Sequence, residues 1–140
     1  MSAPLPLVSY LNNRTAVRAE DLGDKMTAFR LFLIGFWLIL AAYTLVVIMN
    51  HGMGLLQIFF GDMAQMTWPG QFNLDFFGFL LLSGLWMAWR HHFSPGGLAL
   101  GVLGVFGGMG VLPLYLLWAL NDADGDMKIV MLGCQRAASS

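Results

Sequence analysis

Residues 31–50, LFLIGFWLILAAYTLVVIMN, run for twenty positions without a charge immediately after Arg30. Coiled as a helix, such a run covers about 30 Å, the thickness of the hydrocarbon core of a bilayer. Two further apolar runs follow. Residues 72–89 are closed by Arg90, His91 and His92, and residues 97–120 are rich in glycine and interrupted by Pro113. The fold class this implies is an all-α membrane protein, with three transmembrane helices and a short interfacial helix between the first and second. Composition agrees: 58% of the residues are hydrophobic and 11% charged, where a soluble domain carries roughly 25% charged residues. The chain then divides into a cytoplasmic N-terminal arm (1–28), a three-helix membrane domain (29–121) and a C-terminal tail (122–140).

The same composition excludes several functions. A net charge of -1 with scattered cations offers no basic field, so no nucleic-acid partner is expected. Cys134 is the single cysteine, which leaves no intrachain disulfide and no CxxC pair. No HExxH, nucleophile elbow, phosphate loop or paired-carboxylate arrangement occurs. No catalytic residue, metal or cofactor is therefore expected. Asp122, Asp124 and Asp126 alternate as in a calcium loop, but Met127 stands where that pattern needs glycine, so they read as a solvated cap. The first 25 residues mix Arg14 and Arg18 with Glu20, Asp21 and Asp24, unlike a cleavable signal peptide, so the first span is expected to be retained. Met26 is a second candidate start.

Orientation follows from the Lys and Arg residues beside the spans. Arg14, Arg18, Lys25 and Arg30 precede the first span, none lies between His51 and Gln71, and Arg90 follows the second. This places the N-terminus and the Arg90 loop in the cytoplasm and the tail outside, although Lys128 and Arg136 count against that last placement. Residues 53–60, MGLLQIFF, are apolar but too short to cross. They are expected to lie in the outer interface, with a re-entrant hairpin as the rarer alternative.

Helix packing is legible in the small residues. Gly97, Gly101, Gly104 and Gly108 share one side of the third span, and Gly84 with Ala88 offers a similar pair on the second. Such faces admit a neighbouring backbone. Pro113 should kink the third span and free carbonyls near Met109. Expected partners are the lipid bilayer and, through the glycine face, a second copy or a larger membrane complex.

One polar constellation stands out. Asp75 is the one ionisable residue within a span, and an intramembrane carboxylate is a functional candidate. With Asn73 as the helix cap, it would instead suit a helix start in the headgroup region. In the three-span topology His51, Asp62, Asn73, Asp75 and Tyr115 all reach the outer level. There His51 beside Asp75 would form a proton-responsive pair. His91 and His92 fall at the opposite, cytoplasmic end and read with Arg90 as an interfacial anchor.

The stretch 26–121, with MTWPGQFNLDFFGFLLLSGLWMAWR at its centre and NHGMGLLQIFFGDM before it, resembles a group of small, uncharacterised three-span bacterial inner-membrane proteins. The resemblance implies a multi-pass inner-membrane location and brings no activity. The expected function is an accessory or structural helix-packing subunit. The alternative is a small oligomeric transporter, channel subunit or lipid-handling factor that uses the polar cluster.

Overall fold

The computed structural model describes the backbone of residues 5–139 and the side chains of residues 20–139. The described residues are helical throughout: α1 (Leu5–His51), α2 (Leu55–Ala64), α3 (Trp68–Arg90), α4 (Pro95–Gly107), a 3-10 turn (Gly108–Gly110), α5 (Leu112–Asp122), α6 (Met127–Leu132) and α7 (Cys134–Ser139). Two helices are long and apolar enough to cross a membrane, and a third candidate arises if the bent pair α4–α5 counts as one span.

The arm and the first apolar run are one helix, not two units. No proline interrupts residues 7–51, and the amphipathic stretch before the apolar run carries its own local support. Lys25 Nζ meets Asp21 Oδ2 at 2.6 Å, one turn apart, and Thr27 Oγ1 donates to the Gly23 carbonyl at 2.9 Å. The division at residue 28 therefore has no counterpart in the backbone. α2 is longer than the expected 53–60 segment, because Gly61 and Asp62 continue the helix to Ala64. It folds back on α3 so tightly that a Cβ at Gly70 would collide with the Asp62 carbonyl. α3 starts at Trp68, with Thr67 as the residue before it and Pro69 in its first turn. Asn73 thus lies inside the helix rather than capping it.

The third run, expected to cross as one span kinked at Pro113, is broken into two helices. α4 and α5 meet at 112°. The break follows from the sequence Gly107-Gly108-Met109-Gly110 before Pro113. The proline lacks an N–H and its ring excludes the carbonyl four residues back. Gly108 adopts a φ of 48°, open to glycine without strain. One freed carbonyl finds a partner at once, since Trp37 Nε1 of α1 donates to Gly110 O at 2.8 Å. α4 therefore runs away from the Arg90 end of α3, and α5 returns to it.

α3 and α4 also pack at backbone distance. A Cβ at Gly84 would lie 2.5 Å from the Gly101 carbonyl oxygen, and one at Gly101 would lie 2.8 Å from the Gly84 oxygen and 3.1 Å from Ala88 Cβ. Gly97 approaches His91 and the Ala88 carbonyl, and Gly104 faces Met87. At Gly84 and Gly101 the added methyl would meet backbone oxygen, which leaves room for glycine alone. The glycine face of α4 is thus filled by α3 of the same chain and is not free for a second copy. Gly108 is not part of it: its positive φ makes it the corner of the break. A smaller core forms where α1, α5 and α6 meet, built from Leu33, Ala119, Leu120, Ala123 and Val130.

These distances set opposite outcomes for two glycines. Gly101→Ala forces a methyl against the Gly84 carbonyl and should destabilise the chain by about 1–3 kcal/mol. Gly35 of α1 has open space at its Cβ position, so Gly35→Ala should be neutral or stabilising by up to about 1 kcal/mol through helix propensity. Thermal unfolding of both variants in detergent measures the difference.

Candidate functional site

Three helix ends converge where α3 stops, and each presents carbonyls of its last turn, where Leu120 O, Ile129 O and Trp89 O already accept a local backbone N–H. An arginine from another element answers each of them. Arg30 of α1 donates to Leu120 O in the last turn of α5, at 3.4 Å. Arg90, the last residue of α3, donates through Nε to Val130 O at 2.8 Å and through Nη2 to Ile129 O at 3.4 Å, in the last turn of α6. Arg136 of α7 donates to Trp89 O in the last turn of α3. Its guanidinium also lies 4.0 Å from the centre of the Trp89 ring. Trp86 Nε1 completes α6 by donating to Met131 O at 3.1 Å. Positive charge at helix C-termini is the favourable sense of the helix dipole.

Arg90 is the centre of this arrangement and is 5% exposed. No carboxylate pairs with it among the described residues, whose ion pair is Lys25 with Asp21. A buried cation needs full hydrogen bonding to be tolerated. Here the α6 carbonyls supply two acceptors, and Tyr115 supplies a third. Arg90 Nη1 donates to the Tyr115 hydroxyl at 3.0 Å, and its guanidinium carbon stands 5.7 Å from the Tyr115 ring centre and 5.8 Å from that of Trp118.

The Tyr115 hydroxyl lies 2.8 Å from His91 Nε2. Since that oxygen accepts from Arg90, its own proton is available to the imidazole, giving the sequence Arg90 to Tyr115 to His91 with a neutral ring. Burial holds the His91 imidazole below its ordinary value, and the charges of Arg90 and His92 act in the same direction. The ring also stacks on Trp118, 6.3 Å between centres. The tight connection from α3 to α4 holds His91 in place: His92 and Phe93 both take left-handed backbone conformations. Ser94 then accepts from Gly97 N at 3.1 Å to start α4.

This is not the expected outer-level cluster. Tyr115 belongs with Arg90 and His91, the groups assigned to the opposite end, because the bend at Gly108 returns α5 to the level at which α4 began. The tail follows it there, so α6 and α7 pack against the Arg90 end instead of lying on the far side. Of the remaining candidates the structure brings two together. Asn73 Nδ2 donates to Asp62 Oδ2 at 3.3 Å and to Phe59 O at 3.2 Å, joining α2 to α3. His51 and Asp75 are both exposed, and no hydrogen bond or ion pair joins them among the described residues. Sequence reasoning missed Arg90, His91 and Tyr115 as a unit. The signal that points to it is the pair Lys128 and Arg136, cations in a tail expected outside, together with three glycines just before Pro113.

Two outcomes follow from the geometry. Arg90→Met leaves the buried Val130 carbonyl without its partner, at a cost of about 1–3 kcal/mol. Tryptic cleavage after Lys128 should then accelerate by a factor of roughly 5–30. Arg90→Lys should resemble it, because a single ammonium cannot span both the α6 carbonyls and Tyr115. Secondly, a histidine held neutral stabilises the fold fully above its ordinary value of 6.5. That contribution is lost as pH falls from there through the lowered folded value. Melting temperature should drop on acidification below that point, and His91→Gln should flatten the drop.

No protein-family model, no curated protein and no solved structure matches the chain.

Proposed function

We propose that the chain is a small multi-pass membrane protein that serves as an accessory or structural helix-packing subunit. The observation that carries this reading is the surface of α1. Its apolar half lies largely uncovered, with Ile39 69%, Tyr43 70% and Met49 75% exposed. A continuous apolar belt of this extent is stable only against lipid or another apolar helix. The bent pair is consistent with it. Irregular backbone within a bilayer requires protein partners, and the indole of Trp37 provides one at Gly110.

In this reading α1 and α3 cross, α4 and α5 form a re-entrant pair, and both ends of the chain lie on one side. Arg30, Arg90, Lys128 and Arg136 then share a single face, the cytosolic one by the distribution of positive charge. The resemblance of residues 26–121 to small bacterial inner-membrane proteins favours that membrane as the location. Association with other subunits would use the open face of α1, since the α4 glycines are occupied. A second reading, a lipid-handling factor, is favoured by an open apolar cleft lined by α3, the corner at Gly108, α5 and α6, with Phe29 from α1.

Alkaline extraction with reporter fusions at each terminus tests the proposal. The protein should stay in the membrane fraction, and cytosolic reporters should be active at both ends. Activity of a cytosolic reporter at one terminus and of a periplasmic reporter at the other would refute the re-entrant arrangement. A mild-detergent pull-down should recover other integral membrane proteins.

A further inference from the structure

The tail helix α6 has six residues, too few to stay helical by itself. The Val130 side chain anchors it in the small core, and its last carbonyls are taken by two side chains of α3. Arg90 serves Ile129 O and Val130 O, and Trp86 serves Met131 O. Both of those side chains rest on Tyr115. Arg90 Nη1 donates to its hydroxyl, and the Trp86 ring meets its ring edge-on, 5.7 Å between centres. Tyr115 is 7% exposed, so its own proton needs an acceptor inside the structure. That acceptor is His91 Nε2. One imidazole is thereby connected, through a single hydroxyl, to both side chains that hold α6.

A proton on His91 is incompatible with this arrangement. An imidazolium donates from both ring nitrogens, so the Tyr115 hydroxyl loses its acceptor while its oxygen faces donors from Arg90 and His91 together. Two cations then flank one buried oxygen. Of the elements packed on His91, α4 carries no titratable group and α5 carries Tyr115 and the exposed Asp122, while Arg90 and His92 stand beside it in the chain. No ion pair reaches His91 or Arg90 among the described residues. The His91 backbone is fixed by the turn into α4, where a Cβ at Gly97 would lie 2.6 Å from His91 Cβ, so the displacement falls on the His91 and Tyr115 rings. Gly125 and Gly133, at φ of 79° and 81°, flank α6 and leave it free to swivel.

We propose that Arg90, Tyr115 and His91 form a proton-operated latch on the tail: with His91 neutral α6 stays docked on the end of α3, and with His91 protonated it comes away. The latch is complete within one chain and does not depend on the membrane reading above.

The test uses the full chain in detergent, with a nitroxide attached at Lys128→Cys in a Cys134→Ser background, both exposed positions. Its spectrum should report an ordered helix at about pH 8 and gain a mobile component as the pH falls to about 5. The midpoint should lie below the ordinary imidazole value of 6.5, and the circular-dichroism helix signal should stay nearly constant. His91→Gln keeps an acceptor for the Tyr115 proton and takes no charge, so it should remove the mobile component over the whole range. His92→Gln leaves the network whole and should titrate like the wild type. A label equally ordered at both ends of the range would overturn the proposal. So would a mobile component that persists in a folded His91→Gln protein, one that disappears in His92→Gln, or one that arises only together with loss of the helix signal. Should His91→Gln not fold, Tyr115→Phe takes its place: without the hydroxyl the response to pH should vanish, and its survival would refute the latch.

Discussion

The structure depends on supplying donors to helix ends that share one level. α3, α5 and α6 all finish near Arg90, which sets three negative dipole ends side by side. Arg30, Arg90 and Arg136 each come from an element other than the one they cap. The consequence is mutual dependence: α1 holds α5, α3 holds α6, and α7 holds α3. Arginine suits this task because its planar fork addresses two carbonyls and a hydroxyl at once and keeps its charge in a dry setting.

The second constraint is steric. Gly84 and Gly101 bring α3 and α4 to backbone contact, which fixes α4 directly beside α3 rather than at ordinary side-chain spacing. With α4 committed in this way, the corner at Gly108 decides where everything after it goes. Tyr115 reaches the Arg90 guanidinium, and Trp118 reaches the His91 ring, because α5 returns along the bundle. One local feature, three glycines ahead of a proline, therefore determines the composition of the polar centre.

That also explains what could be read from the residues alone. The helical class, the apolar runs and the small-residue faces were legible because each is a local pattern with a period or a length. The contact of Gly84 and Ala88 with Gly97, Gly101 and Gly104 was visible as two matching faces, but not that one chain would satisfy both. Pro113 announced a kink, yet the size of a bend is set by what stabilises the open corner, here the indole of Trp37, 73 residues from Gly110. Treating the third run as a single kinked crossing carried Tyr115 to the wrong end and grouped it with His51 and Asp75. Asp62 and Asn73 do meet, because only a short hairpin separates them.

α1 is fastened along one part of its length. Arg30, Leu33 and Trp37 fix it to α5 and to the corner after α4, whereas Tyr43 and Met49 meet little of the rest of the chain. Mechanically it is a cantilever: a load applied near Arg30 passes straight into α5 and the tail, while one applied near Asn50 turns the helix about Trp37. The groove in which Leu40 and Thr44 face α2 and α3 can accordingly widen or narrow with no backbone hydrogen bond broken, so its width is set by whatever presses on the free end.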